Sequence, residues 1–368
     1  MIKVDVLVVG AGITGITAAS ILVREKNKKV LVVEKRDHIG GNCYDCYNDD
    51  GILIHKYGPH IFHTSHKDVW DYLSNFTDWI PYVHHVKAFV DNKYISFPIN
   101  INTFEQLFEK PFTKNDVLAY LELEKIDLPD IKNAKDMVIS RMGKTIYEKF
   151  FKNYTKKQWG INAKDLAPEI TARIPIRLNR NDRFFTDPYQ GMPEKGYTAM
   201  FKTMLEHKNI QVLTGKDFID VKKIVQFDKM IYTGPIDEFF GYKYGHLPYR
   251  GINFSFKTYD QKNLLPVAVV NYPNDHAYTR ATEFKHMTFQ KHDKTNLCYE
   301  YPANARAGKD DPVISYPILN SSSLNIYLKY KNETDKLINI NFLGRLGGFK
   351  YLNMDVCVKN TMDLFALD

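Results

Sequence analysis

The chain contains 368 residues, and single hydrophobic cores rarely grow beyond about 250–300 residues, so two or three compact units are expected. Its hydrophobic content of 44% and charged content of 25% are typical of a globular protein, and no stretch reaches the roughly 18 apolar residues of a membrane span. The net charge of +7 includes no block of five basic residues, so the composition does not favour a nucleic-acid partner.

The start of the chain has no charged segment followed by an apolar one, as a secretory signal would, and Met1 leads almost directly into the first predicted strand. A cytoplasmic location is therefore expected. The four cysteines argue against a disulfide framework. Cys43 and Cys46 form a C-x-x-C, but no second pair completes a zinc site. Reduced thiols and no bound metal are predicted.

The first forty-two residues predict a βαβ unit. An apolar run at 4–9 is long enough for a buried strand, and residues 13–24 carry apolar side chains at helical spacing. Between them stands a G-x-G-x-x-G motif formed by Gly10, Gly12 and Gly15. In this motif the glycines permit a tight turn, a close backbone approach to a pyrophosphate and close helix–strand packing. The helix N-terminus would attract the phosphates.

A second apolar run at 30–33 ends in Glu34, which follows Gly15 at about the 20-residue distance expected of an acid that binds ribose hydroxyls. Residues with the charge or the turn chemistry to contact a cofactor come next: Lys35, Arg36, Gly41 and Asn42. This E-K-R…G-G pattern resembles the FAD-binding start of glutathione-reductase-like and amine-oxidase-like flavoproteins. FAD is therefore favoured over NAD. The alternative is a βαβ unit whose glycines serve only close packing.

Two histidines, His60 and His63, follow a Gly-Pro pair in segment 57–64. The pattern predicts a loop that enters a helix, with Thr64 as the N-cap. A pair of loop histidines satisfied by neighbouring groups is the simplest interpretation. A metal site is disfavoured because no third ligand cluster is evident.

The middle of the chain changes from strand-like to helical. Residues 87–101 alternate, whereas the pattern becomes helical from Thr103 to about Gly160, with a capping-box pattern at Thr103 and Gln106. These helices predict a second domain. The simplest interpretation of its aromatic cluster at 150–159 is that these side chains pack in the core. Because lysines neighbour them, they could instead form the wall of a nucleotide-binding site, with stacking faces next to positive charge.

Segment 168–185 is rich in Pro, Asn, Asp and Arg and predicts a mobile lid. Alternating segments between 249 and 301 then predict an antiparallel sheet. A late strand at 338–342 precedes a glycine-rich turn and a last helix. The predicted fold class is α/β: an FAD-binding Rossmann-like domain with an inserted helical domain and an antiparallel β-sheet domain.

Five motifs in this sequence resemble those of the UDP-galactopyranose mutase family and occur in the family's order. They are 57–64 (Y-G-P-H-I-F-H-T), 154–160 (Y-T-x-x-Q-W-G), 173–177 (R-I-P-I-R), 278–280 (Y-T-R) and 344–347 (G-R-L-G). The resemblance spans nearly the whole chain. It implies a cytoplasmic isomerase that interconverts UDP-galactopyranose and UDP-galactofuranose. In the family, N5 of reduced FAD attacks the anomeric carbon while UDP leaves and later returns.

The resemblance also implies roles for individual residues. As catalytic groups it implies Arg173, Arg280 and His63. As cofactor contacts it adds His60, Ile61, Arg345 and Met354 to the residues of the N-terminal fingerprint. As substrate contacts it implies Phe151, Tyr154, Thr155, Trp159, Arg173, Phe184, Phe185, Arg250, Asn271, Arg280, Tyr316 and Tyr351. The two catalytic arginines would stabilise the charge of the leaving diphosphate.

The implied cofactor domain comprises 1–82, 195–245 and 317–368. The helical domain, which would bind uridine and carry a lid near 165–190, comprises 100–183. The antiparallel sheet domain comprises 83–99, 184–194 and 246–316. Expected partners are the UDP-sugar, an external reductant such as NAD(P)H, and a second copy of the chain in a homodimer.

Three positions depart from the family pattern. Phe184 stands where relatives often carry Tyr, Ser315 where a Tyr is common, and Asn353 where an Asp is common. These departures leave the sugar open, so a mutase that prefers UDP-N-acetylgalactosamine is an alternative. An amine-oxidase-like FAD oxidoreductase and a non-enzymatic nucleotide-sugar or FAD-binding module are the other hypotheses.

Overall fold

The structure is a computed structural model that describes residues 1–309 and 312–366. Residues 310–311 of the predicted sheet domain and 367–368 of the predicted cofactor domain lie outside the described residues. The described strands, in chain order, are β1 (Ile2–Lys3), β2 (Val6–Val9), β3 (Val30–Val33), β4 (Asp45–Tyr47), β5 (Leu53–His55), β6 (Phe62–Thr64), β7 (Trp79–Pro81), β8 (Val86–Val90), β9 (Lys93–Phe97), β10 (Tyr189–Pro193), β11 (Ile210–Leu213), β12 (Val225–Gln226), β13 (Lys229–Tyr232), β14 (Tyr249–Tyr259), β15 (Val269–Asn271), β16 (Arg280–Glu283), β17 (Thr295–Ala305), β18 (Val313–Pro317) and β19 (Ile340–Phe342).

The described α-helices are α1 (Ile13–Arg24), α2 (Lys67–Ser74), α3 (Ile101–Phe108), α4 (Lys114–Glu124), α5 (Ala134–Ile146), α6 (Lys152–Trp159), α7 (Glu169–Ala172), α8 (Tyr197–Leu205), α9 (Phe218–Val221), α10 (Ile236–Phe239), α11 (Lys285–Thr288), α12 (Ser321–Thr334), α13 (Gly344–Gly347) and α14 (Met354–Ala366). Among the described residues, no helix is long and apolar enough to span a membrane.

A five-stranded parallel sheet in the order β11-β3-β2-β13-β19 carries the N-terminal fingerprint. Every residue of β2 and β3 is buried, as expected of strands covered on both faces. Because side chains alternate across a strand, Val6 and Val8 join the core beside α1, whereas Leu7 and Val9 join a second core that includes Val221 of α9. Helix α1 contacts both α8 and α14.

A seven-stranded sheet in the order β18-β14-β17-β16-β15-β8-β9 forms the second layer. It is antiparallel except for the parallel pair β15–β8, which differs from the wholly antiparallel sheet that was predicted. Asn271 lies opposite Arg280, and Arg280 lies opposite Glu300. Residues directly opposite one another project from the same face, so these three polar side chains form a row across β15, β16 and β17.

Helices α3 to α7 occupy the predicted helical segment. The predicted capping box at Thr103 is wrong by three residues, because Asn100 is the N-cap of α3 and Thr103 completes the box at the third helical position. Gln106 instead accepts a hydrogen bond from the backbone N–H of Ser96 on the neighbouring strand β9. Asn caps as well as Thr does, so the sequence offered two equivalent starts.

A π-helical turn, Tyr147–Phe151, joins α5 to α6. Such turns insert one residue into an α-helix and are frequent at functional sites. Here the turn contributes the buried Phe150 and Phe151, and α6 follows at once with the buried Thr155.

A smaller antiparallel sheet has the order β6-β10-β7. Strand β10 therefore pairs with two strands from within 1–82, and not with the seven-stranded sheet to which 184–194 was assigned. The prediction of Thr64 as a helix N-cap is also wrong, because Thr64 is the last residue of β6 and α2 begins at Lys67 after His66. The division of the whole chain into three domains stays a prediction.

Candidate functional site

A cavity of about 730 Å³ opens at the carboxyl ends of β2, β3 and β13, where parallel α/β sheets bind ligands. We call it the cofactor cavity. It is lined by ten of the predicted cofactor contacts: Gly10, Gly12, Glu34, Lys35, Arg36, Gly41, Asn42, His60, Arg345 and Met354.

The two glycine turns meet at the floor of this cavity. Gly10 has φ +99°, and a Cβ there would lie 2.2 Å from Oγ1 of Thr233. A Cβ on Gly41 would lie 2.9 Å from the Cα of Gly12, so the backbones of the two turns are nearly in contact. Gly12 is the N-cap of α1 and has no side-chain hydrogen bond. The first N–H groups of this twelve-residue helix therefore have no side-chain cap and face the cavity floor, as an anion-binding helix terminus requires.

Glu34 is buried at the edge of the cavity, with 8% of its surface exposed. Its carboxylate accepts hydrogen bonds from the backbone N–H of Ala11, at 2.7 Å, and from that of Arg36, at 2.9 Å. These bonds hold the carboxylate between the two turns, and each carboxylate oxygen retains further acceptor capacity. This acceptor capacity suits ribose hydroxyls, and the contact of Glu34 with ribose stays a prediction.

Two of the predicted cofactor contacts, Gly15 and Ile61, and the predicted catalytic residue His63 do not line the cavity. A Cβ on Gly15 would lie 2.0 Å from the carbonyl oxygen of Gly10, so this glycine serves helix–strand packing. Ile61 belongs to the hydrophobic core. The Nδ1 atom of His63 lies 2.8 Å from Oδ2 of Asp187. The roles of these residues at the cofactor stay predictions.

Residues that the sequence analysis missed line the far end of the cavity. Phe218, Tyr232 and Phe239 form an aromatic group there, and Thr233 follows β13. The position of Thr233 directly after a buried strand was a usable signal. The aromatic group was not identifiable, because its members come from α9, β13 and α10.

A second group of functional side chains adjoins the cavity, and we call it the arginine–tyrosine cluster: Arg173, Arg280, Arg345, Tyr154, Tyr316 and Tyr351. Nη1 of Arg173 donates to the hydroxyl of Tyr351 at 3.3 Å, and Nη2 of Arg280 donates to the hydroxyl of Tyr154 at 3.3 Å. Tyr316 and Tyr351 stack with their ring centroids 5.3 Å apart. The Arg345 guanidinium, which also lines the cofactor cavity, lies 5.4 Å from each of these two rings.

The cluster places the positive charges of its arginines next to the tyrosine hydroxyl groups. Burial would raise the pKa of Tyr351, but the charge and hydrogen bond of Arg173 outweigh it and lower that pKa. Burial disfavours the charged form of Arg280, yet the Glu300 carboxylate together with Tyr154 and Tyr316 outweighs it, so the pKa of Arg280 is raised. Arg173 and Arg280 therefore both stay cationic at any physiological pH.

Two buried polar atoms beside Arg280 have no hydrogen-bond partner among the described residues. They are Oδ1 of Asn271 and Oε1 of Glu300. Glu300 lies 3.6 Å from Nη1 of Arg280, and burial raises the pKa of its carboxyl group. Buried polar atoms are usually satisfied, so Asn271 marks a place where a ligand hydroxyl group would complete the site.

The predicted uridine wall lies on one side of this cluster. Thr155 on α6 and Phe151 on the π-turn are buried, and Tyr154 extends to Arg280. The exposed Lys152 and Lys156 occupy the outer face of α6. Trp159 ends the helix and is half-buried.

Arg250 is placed differently from the other predicted substrate contacts. Its guanidinium donates to the backbone carbonyls of Gln158, at 2.8 Å, and Lys157, at 3.1 Å, and to Oδ1 of Asn304, at 2.6 Å. These contacts cap the C-terminal end of α6. The structure thus shows Arg250 supporting the helix of the wall, and its contact with substrate stays a prediction.

Phe184 and Phe185 form an aromatic group with His63 and His84. The Phe185 ring stacks on His63 with centroids 3.6 Å apart, and Phe184 lies edge-on to Phe185 and His84. Burial, followed by the charge of Arg280, lowers the pKa of His84 to about 3. The charge of Arg280 therefore reaches this aromatic group at His84.

Comparison with known proteins identifies the family. The family model for UDP-galactopyranose mutase matches residues 149–351, and a model for an NAD(P)-binding Rossmann-like domain matches residues 8–76. A protein from Klebsiella pneumoniae named probable UDP-galactopyranose mutase is 36% identical over 362 residues, which cover 97% of this chain and 93% of that protein. The chain belongs to the UDP-galactopyranose mutase family.

Other members and folds agree with this assignment. A dTDP-fucopyranose mutase from Escherichia coli is 33% identical over 370 residues, covering 98% of this chain and 97% of that protein. A crystal structure of reduced UDP-galactopyranose mutase shares the fold, with a TM-score of 0.76, 17% identity, and coverage of 100% of this chain and 95% of that one. The predicted family, the flavin-dependent mutase class and the FAD-binding Rossmann-like fold are confirmed. The individual residue roles stay predictions.

Proposed function

We propose that this protein interconverts UDP-galactopyranose and UDP-galactofuranose, with reduced FAD as its cofactor. The observation that carries the proposal is that the charges of Arg173, Arg345 and Arg280 all act on Tyr351, beside the cofactor cavity that Arg345 lines. A diphosphate held between Arg173 and Arg280 would place the attached sugar close to a flavin that enters past Arg345.

The arginines would stabilise the departing nucleotide. Breaking the glycosidic bond increases the charge on the diphosphate, so donors that are already fixed around it favour the transition state over the ground state. Arg280 is held between Tyr154 and Glu300 by contacts within the protein. Arg173 comes from the segment after α7 and meets the cluster through Tyr351. The structure thus offers one arginine from the sheet and one from the predicted lid.

The chain's residues fit FAD on structural grounds. The uncapped N-terminus of α1 and the crossing of Gly12 and Gly41 would hold the pyrophosphate, and Glu34 would hold the ribose. Reduced FAD, when bound, supplies the nucleophile for the anomeric carbon. The protein then has to bind the nucleotide, orient the sugar and exclude water, and the residues of the cluster suit those tasks.

The test is turnover by the chemically reduced holoenzyme. Under anaerobic conditions, photoreduced protein is expected to convert UDP-galactofuranose to UDP-galactopyranose, with the ring size of the product read by NMR. The oxidised protein serves as the matched control and is expected to be nearly inert. Absence of turnover by reduced protein on any UDP-galactose-type sugar would overturn the proposal. Stoichiometric oxidation of a substrate in air would instead indicate the amine-oxidase-like alternative.

A second candidate substrate is a dTDP-linked 6-deoxy sugar. The sequence similarity to a dTDP-fucopyranose mutase favours it, and so does Phe184, whose ring lies among Phe97, His84 and Phe185. This environment offers the sugar an apolar surface where relatives often have a tyrosine hydroxyl. Comparing kcat/KM for UDP-galactofuranose, the UDP-N-acetylgalactosamine analogue and dTDP-fucofuranose decides among them. A preference of tenfold or more identifies the substrate.

The reductant and the assembly are further parts of the proposal. Reduction of the flavin by an external donor such as NAD(P)H is expected, because the sequence shows one dinucleotide fingerprint. Anaerobic bleaching of the flavin absorbance by NADH or NADPH measures it. Light scattering of the holoenzyme tests the homodimer.

A further inference from the structure

A histidine–carboxylate pair lies next to the proposed sugar site, and the function described so far gives no role to its carboxylate. His63 is the central residue of β6, and Asp187 precedes β10, which pairs with β6. Nδ1 of His63 lies 2.8 Å from Oδ2 of Asp187, and 14% and 28% of their side chains are exposed. The two residues are 124 positions apart in the sequence.

The carboxylate is itself held in place. Oδ1 of Asp187 accepts a hydrogen bond from the Ser65 hydroxyl at 2.6 Å, and the Asp187 carbonyl accepts one from Nε2 of Gln190 at 2.8 Å. Burial would raise the pKa of Asp187, but the hydrogen bonds from Ser65 and His63 outweigh it, so the pKa is lowered and the group is ionised. An ionised carboxylate only accepts.

It follows that Nδ1 of His63 carries a proton and donates it to Asp187. In the neutral ring the other nitrogen, Nε2, is then an acceptor. Within residues 1–309 and 312–366, no protein group forms a hydrogen bond with Nε2. The ring cannot turn freely to change this arrangement, because it stacks on Phe185 at 3.6 Å with an interplanar angle of 13°.

The His63 ring is also connected to the surroundings of Arg280 through neighbouring aromatic rings. Phe185 stacks against His84 with centroids 5.8 Å apart, and the charge of Arg280 acts on His84. The pair is therefore connected to the surroundings of Arg280 through Phe185 and His84. A sugar attached to a diphosphate at Arg280 would extend towards it.

We propose that Asp187 is a positioning residue that fixes His63 with its proton on Nδ1, so that Nε2 accepts a hydrogen bond from a hydroxyl group of the sugar. The inference rests on the proposed function. Asp187 does not touch the sugar and acts only through the imidazole ring. Substitution of the carboxylate by an amide, D187N, would allow the side-chain NH₂ to donate to Nδ1, which moves the proton to Nε2 and removes the acceptor.

The experiment compares D187N with a matched control, D182N. Asp182 also pairs with a histidine, since its Oδ1 lies 3.1 Å from Nδ1 of His85, but both partners are more exposed, at 38% and 39%. In FAD-loaded protein, ¹⁵N NMR of labelled histidines is expected to show His63 protonated on Nδ1 in the wild type and D182N, and on Nε2 in D187N. Titration with UDP, which lacks the sugar, is expected to give the same Kd for all three proteins.

The kinetic test is a double-mutant cycle. D187N is expected to lower kcat/KM for UDP-galactofuranose about 10- to 100-fold, the effect of losing one hydrogen bond in the transition state. H63A is expected to cause a similar loss, and the double variant no further loss, because Asp187 acts through His63. S65A keeps the carboxylate and is expected to retain the wild-type tautomer.

The outcomes separate this inference from the proposed function. An unchanged His63 tautomer in D187N, or losses that multiply in the double variant, would overturn the positioning role even if the wild type turns over. Weaker UDP binding by D187N would assign Asp187 to general structure and would also overturn it. A wild-type enzyme inactive on every nucleotide sugar would overturn the proposed function, whereas the NMR comparison would still decide the state of His63.

Discussion

Arg280 is half-buried within the arginine–tyrosine cluster and is ordered by its contacts with Tyr154 and Glu300. We therefore expect Arg280→Ala to lower kcat of the reduced enzyme by about 100-fold or more, the scale of losing one preorganised donor in a transition state. Single-turnover and steady-state assays on UDP-galactofuranose measure this. Arg306→Ala, which removes an exposed arginine directly after β17, is the control. Near-normal turnover by Arg280→Ala would remove this residue from the catalytic group.

At the scale of single residues, the sequence predicted the groups that belong to local motifs and missed those joined only by the fold. Glu34 was identifiable because its distance from the glycines is fixed by one βαβ unit. Asp187 was not, because its partner His63 reaches it through the pairing of β6 with β10. Arg250 makes contacts that the family resemblance did not indicate. Family resemblance implied a substrate contact, but its donors meet the carbonyls of α6.

At the scale of elements, the turn between β2 and α1 depends on Gly10. In Gly10→Ala the residue would keep a positive φ and its Cβ would lie 2.2 Å from Oγ1 of Thr233. Gly51 also has a positive φ, +76°, but a Cβ there would meet nothing within 4 Å. Both variants carry the backbone cost of about 1–2 kcal/mol, whereas only Gly10→Ala adds a clash at the cofactor cavity.

We therefore expect Gly10→Ala to lower both Tm and the fraction of protein that retains FAD, and Gly51→Ala to lower Tm alone. Differential scanning calorimetry and the flavin-to-protein absorbance ratio measure the two effects. Equal FAD retention in both variants would show that the β2–α1 turn does not form the cofactor site.

Lys157 connects α6 to the segment before β16. Its Nζ donates to the backbone carbonyls of Tyr272, His276 and Tyr278. Replacing it with Met leaves these carbonyls without their donor, and we expect a loss of roughly 1–3 kcal/mol in the free energy of unfolding. The exposed neighbour Lys156 provides the control, Lys156→Met, with an expected change within about 0.5 kcal/mol. Urea unfolding of both variants measures the difference, and equal stabilities would contradict the role given to Lys157.

The elements themselves were predicted unevenly. Helix α1 occupies 13–24, as its apolar spacing indicated, and β11 occupies 210–213. The start of α3 was missed because Asn100 and Thr103 are both good capping residues, and only the tertiary position of the chain selects one. Strand β10 was assigned to the wrong sheet because alternation predicts a strand but not its partner.

At the scale of the whole molecule, FAD is expected to stabilise the fold. The cofactor cavity is formed by segments as distant as Gly10, Tyr57, Thr233 and Arg345, so a bound ligand holds these segments together. For free FAD at 100 times its Kd, the free energy of unfolding should rise by about 2.7 kcal/mol. Thermal unfolding of apoprotein and of FAD-loaded protein measures this. An unchanged Tm under saturating FAD would contradict the assignment of the cavity.

The π-turn at Tyr147–Phe151 limits how the length of this part of the chain can change. Deleting one residue there would convert the π-helical turn into ordinary α-helix. The side chains of the following helix α6 would then be rotated by about 100° around the helix axis. Lys152 and Lys156 would then move from their outward direction, and Tyr154 would swing away from Arg280. The one extra residue in the π-turn thus determines which side of α6 faces Arg280. Insertions and deletions should therefore be less tolerated here than in the neighbouring loops.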